Sequence, residues 1–324
     1  MAALNSSLVR VNRRNPCPVC GKPNWCSVTD DGAMVICMRV AAGSICKSKN
    51  GGYIHILKER EYQPLQQIYR KPEPTPVAPI ERRDAVYNAL LDLLPLAHRH
   101  TEDLARRGLS DLTIARNGYA SLPDRFNQVL EASNALARSH DLANVPGFFI
   151  DRQGRRRFSG IRRGFLIPVR DAQGRIQGCQ IRCDEGDPRY LWFSSAGELD
   201  GASSGAPIHF ARPWRVDATG EAIVTEGALK ADVIAERLDC CVVGVPGISS
   251  FPINFGSWLT FKLPPLKRVL VAYDAEWRDP NKQRVGVELV RMLESLTEAE
   301  LESIPLDWEG AKGLDDLLVK ETRR

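Results

Sequence analysis

From Asp84 to about His140 apolar residues recur at helical spacing, beginning with Val86, Ala89, Leu90, Leu93 and Leu94. This stretch is expected to be helical, with one face in a core. Thr101 and Ser110 stand where N-caps would open further helices. Between about Pro146 and Asp217 the period shortens to that of alternating strands, and Asp171 to Gly174 reads as the turn of a hairpin. From Glu221 onward, apolar runs at 222–225, 241–245 and 268–273 alternate with helical stretches at 228–238 and 284–296. That alternation predicts a parallel sheet under covering helices. Residues 61–82 hold Pro64, Pro72, Pro74, Pro76 and Pro79 with little periodicity, the composition of a semi-rigid spacer. The expected division is therefore 1–60, a linker at 61–82, a helical and then β-rich part at 83–218, and an α/β part at 219–324. No convincing internal repeat is evident.

A length of 324 residues is roughly two domains' worth of chain. Hydrophobic residues at 43% and charged residues at 26% describe an ordinary globular protein and argue against wholesale disorder. Lys+Arg 44 against Asp+Glu 40 leaves a net charge of +4, only a hint of an acidic partner. No apolar run approaches the roughly 18 residues of a membrane helix, and Met1 to Asn15 lacks the apolar stretch of a signal peptide. The expectation is a cytoplasmic protein without a membrane partner.

Nine cysteines in a reducing compartment are read as metal ligands, catalytic groups or core rather than as disulfides. Cys179, Cys183, Cys240 and Cys241 lie in apolar, strand-like stretches and read as core. Cys17, Cys20, Cys26, Cys37 and Cys46 crowd into thirty residues. Cys17-Pro-Val-Cys20-Gly is a knuckle that turns two thiolates toward one soft ion, for which zinc is the natural choice. A Thr-Asp-Asp-Gly turn between two strands, centred between Asp31 and Gly32, would place Cys26 opposite Cys37. The expected ligand set is Cys17, Cys20, Cys26 and Cys37, with Cys46 or His55 as competitors for the fourth place. So small a module would depend on its metal to fold.

Glu226 follows a buried run and precedes a glycine and a helix, so its carboxylate should project at the carboxyl edge of a parallel sheet, where ligands bind in such folds. The neighbouring run ends in Asp274-Ala-Glu276, and Asp315-Asp316 follow Lys312-Gly313-Leu314. Acids gathered at adjacent strand ends repel unless cations neutralise them, and oxygen ligands suit Mg2+ or Mn2+. Metal-assisted phosphoryl transfer is the chemistry that follows, although any one of these acids could equally be a solvated loop residue. The small residues of Gly244 to Phe251 offer free amides to a phosphate or sugar. No GxxxxGKS or GxxxxGKT sequence is present, which argues against a fused P-loop ATPase. Arg152, Arg155, Arg156, Arg157, Arg162, Arg163, Arg170, Arg175 and Arg182 are concentrated together, with Phe158, Phe165, Tyr190, Trp192 and Phe193 interleaved or close behind. Such a stretch suits a phosphate backbone and stacked bases; a solvated strand face over core aromatics is the competing reading.

In this order the segments resemble the bacterial DnaG-type primases and, more closely, primase-like TOPRIM proteins of phages and mobile elements. The cysteine ribbon precedes Arg107–Ile114 (RGLSDLTI), similar to the helical start of the family's polymerase domain. Arg163–Gly178 is similar to its basic subdomain and Tyr190–Ser195 to the strand that follows, while Val224–Asp232 and Tyr273–Glu276 resemble the TOPRIM glutamate and DxD motifs. The resemblance implies an α/β protein: a zinc-ribbon N-terminal module, then a primase-like core with a helical beginning, a basic β-rich subdomain and a TOPRIM parallel-sheet subdomain. It implies an RNA-primer-synthesising nucleotidyltransferase on single-stranded DNA, using NTPs, structural Zn2+ and catalytic Mg2+ or Mn2+. Glu226, Asp274, Glu276 and Asp315 would form the catalytic and metal-binding set. Lys230 lies in the glutamate motif, and Arg155, Arg156, Arg157, Arg162, Arg163 and Arg182 would contact template or nucleotide. Glu276 departs from the family's second aspartate, and the ribbon lacks a second CxxC. A helicase would be a separate partner. A TOPRIM nuclease and a catalytically silent DNA-binding replication factor are the alternatives.

Overall fold

The computed structural model describes residues 8–30, 32–48, 51–57, 76–159, 163–275, 283–308 and 311–321, and the chain forms two units, Met1–Pro72 and Glu73–Arg324. Among the described residues no helix is long and apolar enough to cross a membrane.

The first unit is one antiparallel sheet of β1 (Leu8–Arg10), β2 (Ser27–Thr29), β3 (Met34–Cys37), β4 (Cys46–Lys47) and β5 (Tyr53–Ile56), in the order β1-β2-β3-β5-β4. Ser27 faces Ile36 and Val28 faces Val35, so the register that the hairpin turn predicts sets Cys26 beside Cys37. The apolar centre is little more than Val11, Val35 and the buried cysteines, far less than a free-standing core requires.

The second unit opens with α1 (Ile80–Leu93), α2 (His98–Arg106) and α3 (Asp111–Asn117), then β6 (Ala120–Ser121) and α4 (Phe126–Ala137). α1 starts within the proline-rich stretch, directly after Pro79, and buries Val86, Tyr87, Leu90 and Leu91 at helical spacing. Ser110 caps α3, its Oγ accepting from the Thr113 amide at 3.3 Å. Thr101 caps nothing: it lies inside α2, whose N-cap is Ala97. The earlier start is held by buried His100, which bonds Ser121 Oγ at 2.6 Å and Asp184 Oδ1 at 2.8 Å.

β7 (Phe148–Ile150) and β8 (Arg156–Phe158) form one hairpin; β9 (Gly164–Arg170), β10 (Ile176–Cys183), β11 (Tyr190–Trp192) and β6 form a sheet in the order β11-β10-β9-β6. Both hairpin turns are spelled D-x-Q-G-R. In one, Asp151 Oδ1 accepts from the amides of Gln153 and Arg155 at 2.9 and 3.0 Å; in the other, Asp171 Oδ1 accepts from Gln173 and Arg175, both at 2.9 Å. The aspartate side chain does the work of a turn-closing backbone group. Phe158, Phe165 and Phe193 are fully buried, and Phe148, Phe158 and Phe193 pack edge to face or tilted against one another. Phe158, Phe165 and Phe193 are therefore core, not base-stacking groups.

The last region holds β12 (His209–Ala211), α5 (Val216–Thr219), β13 (Glu221–Glu226), α6 (Ala228–Leu238), β14 (Cys241–Val245), α7 (Phe255–Lys262), β15 (Arg268–Ala272), α8 (Gln283–Glu298), β16 (Glu302–Pro305) and α9 (Leu314–Glu321). The sheet order is β12-β14-β13-β15-β16, and β13 pairs in parallel with both β14 and β15. Val224 on β13 packs with Leu259 of α7 and Met292 and Leu296 of α8, while Ile223 packs with Ala231 and Ile234 of α6 and with α9. Each such burial contributes about 1.5–3 kcal/mol, which is why the central strand is apolar on both faces. α6 lies close on the sheet because Gly244 has no side chain; a Cβ there would sit 2.7 Å from the Gly227 carbonyl and 3.1 Å from Ala231.

Candidate active site and metal centre

In the first unit the sulfurs of Cys17, Cys20, Cys26 and Cys37 all lie within 4.8 Å of one another, a set that could hold zinc. The knuckle is closed by the Gly21 amide donating to the Cys17 carbonyl at 2.8 Å. The amides of Met38 and Val40 point at Cys26 Sγ and Cys37 Sγ, both at 3.4 Å, as donors to thiolates would. Arg39 Nη1 lies 3.7 Å from Cys26 Sγ and 3.9 Å from Cys20 Sγ, and bonds to Asn24 hold it there. Burial pushes Cys17 up and Cys26 up to about 12. At Cys20 burial opposes ionisation, yet hydrogen bonds from the Lys22 amide and the neighbouring thiols bring it down to about 6. Four thiols this close cannot all ionise without a cation, so the donor set fits one. The two competitors stand apart: Cys46 is exposed in β4, and buried His55 places Nε2 2.9 Å from the Val40 carbonyl.

In the second unit the register sets Thr225 opposite Ala272, so Glu226 and Asp274 emerge at the same carboxyl edge of adjacent strands. The loop before α9 joins them: the Ala275 amide donates to the Lys312 carbonyl at 2.8 Å. Around Gly313 the groups converge, since a Cβ built there would lie 2.6 Å from Asp315 Oδ1, 3.0 Å from Asp274 Oδ1 and 3.6 Å from Lys230 Nζ. Lys230 on the first turn of α6 is hydrogen-bonded to Asp274 Oδ1, and Lys312 lies 3.7 Å from Asp274 Oδ2. Asp274 and Asp315 are 8% and 9% exposed. Asp315 Oδ1 has no hydrogen-bond partner among the described residues. Burial raises its pKa, with Asp316 and Asp274 adding to the effect and Lys230 opposing it. Burial, and after it the charge of Glu226, lift the Tyr273 phenol well above its usual range. Two buried carboxylates aimed at one point, one oxygen orphaned, fit a hard cation such as Mg2+ or Mn2+. Among the described residues, however, no three carboxylates bring oxygens within 4.8 Å of one another. Glu276 lies outside the described residues.

The arginine stretch is more neutralised than its composition suggests. Arg155 bonds Asp151 at 2.9 Å, Arg157 lies 3.8 Å from the same carboxylate and 4.7 Å over Phe149, and Arg156 pairs with Asp200 at 2.8 Å. Arg182, 14% exposed, pairs with Asp103 at 3.1 Å. Arg163, 74% exposed, has only a loose pairing to Asp124 at 3.5 Å, and Arg162 lies outside the described residues. Tyr190 is the aromatic of this group that stands exposed. The Gly244–Phe251 loop is clasped by two arginines absent from the sequence-derived set: Arg284 Nη2 donates to Ser249 Oγ at 3.2 Å, and Arg291 lies 4.3 Å over Phe251. Their spacing of two helical turns along an amphipathic stretch was the available signal.

Residues 215–324 match a family described as a domain of unknown function, DUF3854, and no curated protein matches the chain. Solved structures are similar over most of it. The Aquifex aeolicus primase, comprising zinc-binding and RNA polymerase domains, superposes with a TM-score of 0.57 at 20% identity over 74% of this chain and 58% of that one. The E. coli primase catalytic core gives 0.54 at 20% identity over 75% and 76%, and a DnaG primase catalytic domain bound to ssDNA gives 0.51 at 20% over 75% and 79%. The chain thus spans little more than half of the Aquifex structure. Beyond its four-cysteine ribbon, this protein has the fold of the DnaG primase core.

Proposed function

We propose that the protein is a DNA primase that makes short RNA primers on single-stranded DNA in the replication of a phage, plasmid or other mobile element. The observation that carries this reading is the meeting of Asp274, Asp315 and Lys230 around Gly313, at the sheet edge where Glu226 ends β13, within a primase-core fold. In this reading the 219–324 region is a TOPRIM domain, and Asp274, Asp315, Glu276 and Glu226 hold Mg2+ or Mn2+. Bound there, the ions would neutralise triphosphate oxygens and lower the pKa of the attacking 3′-hydroxyl. Glu226 accepts the proton of that hydroxyl or ligates the ion from the strand end. In this reading Arg155, Arg156, Arg157, Arg162, Arg163 and Arg182 contact the template or nucleotide, and the zinc-bound ribbon reads the start site. NTPs are the substrates, a separate helicase supplies the single strand, and the cytoplasm is the place of work.

The test is incubation of the full chain with single-stranded DNA templates, labelled NTPs and Mg2+ or Mn2+. Short RNA is expected from the wild type, falling at least a hundredfold in Glu226→Ala. No RNA under either metal, or undiminished RNA from the variant, overturns the reading; loss of DNA without incorporation would indicate a nuclease.

A further inference from the structure

The acidic site already contains a cation. Lys230 projects from the first turn of α6 onto Asp274 Oδ1, and its ammonium stands within reach of the point on which Asp315 Oδ1 and Asp274 Oδ1 converge. The lysine side chain is only 29% exposed and the Asp274 side chain 11%. A buried carboxylate pair must be neutralised by something, and here a side chain does it. One place is left over: Asp315 Oδ1, on a buried residue, has no hydrogen-bond partner among the described residues. Among the described residues no three carboxylates bring oxygens within 4.8 Å of one another.

We propose that Lys230 is a built-in counter-ion that competes with the divalent metal for Asp274 and is released toward the triphosphate when the metal binds. This rests on the reading of the acidic edge as a metal site. The charges balance: one ammonium leaves a carboxylate pair as one divalent ion joins it, and the freed ammonium finds a new anion in the triphosphate. The site therefore binds metal weakly without nucleotide and strongly with it, because only nucleotide gives Lys230 somewhere else to go. Lys230 thereby sets the order in which metal and nucleotide assemble.

The experiment is a titration of the zinc-loaded full chain with Mn2+, without nucleotide, followed by electron paramagnetic resonance. Lys230→Gln is expected to bind Mn2+ about tenfold more tightly than wild type, since a partly screened like charge has been removed. Lys230→Arg, which keeps the charge, should stay within about twofold of wild type. General damage to the fold weakens metal binding and cannot produce the first result. In the wild type itself, acetylation of Lys230 read by mass spectrometry should accelerate with saturating Mn2+ alone, which displaces the ammonium from Asp274, and slow again when ATP is added and takes the ammonium up. Unchanged or weaker Mn2+ binding in Lys230→Gln, equal tightening in Lys230→Arg, or an acetylation rate indifferent to Mn2+ and ATP overturns the proposal. If the metal titrations behave as expected but no primers form, the primase reading fails and the counter-ion role stands. Primer synthesis with unaltered Mn2+ affinity in Lys230→Gln fails the role alone.

Discussion

Gly313 shows how one missing side chain organises the acidic site. Its hydrogen points into the space between Asp274 and Asp315, and a methyl there would lie 3.0 Å from the Asp274 oxygen and 2.6 Å from that of Asp315. Both carboxylates are buried, so neither can swing into water to make room. Gly313→Ala is expected to cost about 1–3 kcal/mol by overpacking and, more specifically, to separate the two acids and weaken Mn2+ binding. Thermal unfolding and a metal titration of the same variant check both; an unchanged affinity would mean that the two carboxylates do not share an ion. Residue chemistry alone named these acids, but it could not show how the arginines are spent. Asp151 sits four residues before Arg155, a pairing open to local reading, whereas Asp200 and Arg156 are 44 residues apart and Asp103 reaches Arg182 only through the tertiary fold. Composition records the positive groups and is silent about acids brought to them from elsewhere in the chain.

At the scale of elements, α6 is the piece that joins sheet and helices. Near its carboxyl end Glu236 accepts from Ser110 Oγ at 2.7 Å and from Thr113 Oγ1 at 2.6 Å and pairs with Arg212, tying α6 to α3. Burial works against its ionisation, but the bonds from Thr113 and Ser110 and the charge of Arg212 hold its pKa below the usual range. A depressed folded-state pKa stabilises above the unfolded value of about 4.3 and loses that contribution as pH falls through the lower folded value. Glu236→Gln should lower stability by about 1–3 kcal/mol at neutral pH and flatten the acid limb of the melting temperature between neutrality and pH 3. An acid limb identical to wild type would place the stabilisation elsewhere. Elements of this kind were legible to different degrees. β13, β14 and β15 could be read because strands buried on both faces are unbroken apolar runs, and the β9–β10 hairpin because its turn residues are explicit. The start of α2 was not, because it is fixed by His100 reaching Ser121 and Asp184, contacts that no window of sequence contains. The same limit hid Lys230: its place in the glutamate motif was visible, its bond to Asp274 beyond the end of β15 was not.

At the scale of the whole chain the two units are held together by different physics. The second has extended apolar clusters, while the first has hardly any core beyond its cysteines. Structural zinc contributes about 10–16 kcal/mol to modules of this sort. Prolonged chelation is therefore expected to melt the first unit and leave the second folded, read as proteolysis confined to residues before Glu73 while far-ultraviolet dichroism stays mostly intact. Loss of the second unit in the same titration would show that zinc supports more than the ribbon. The position of β13 has a consequence of another kind. Because it is bonded along its length to β14 on one side and β15 on the other and roofed by helices on both faces, its amides should be among the last to trade hydrogen for deuterium. Glu226 is the last residue of that strand, so its backbone is expected to hold its place while the loops around it breathe, and their motion changes what can approach the site.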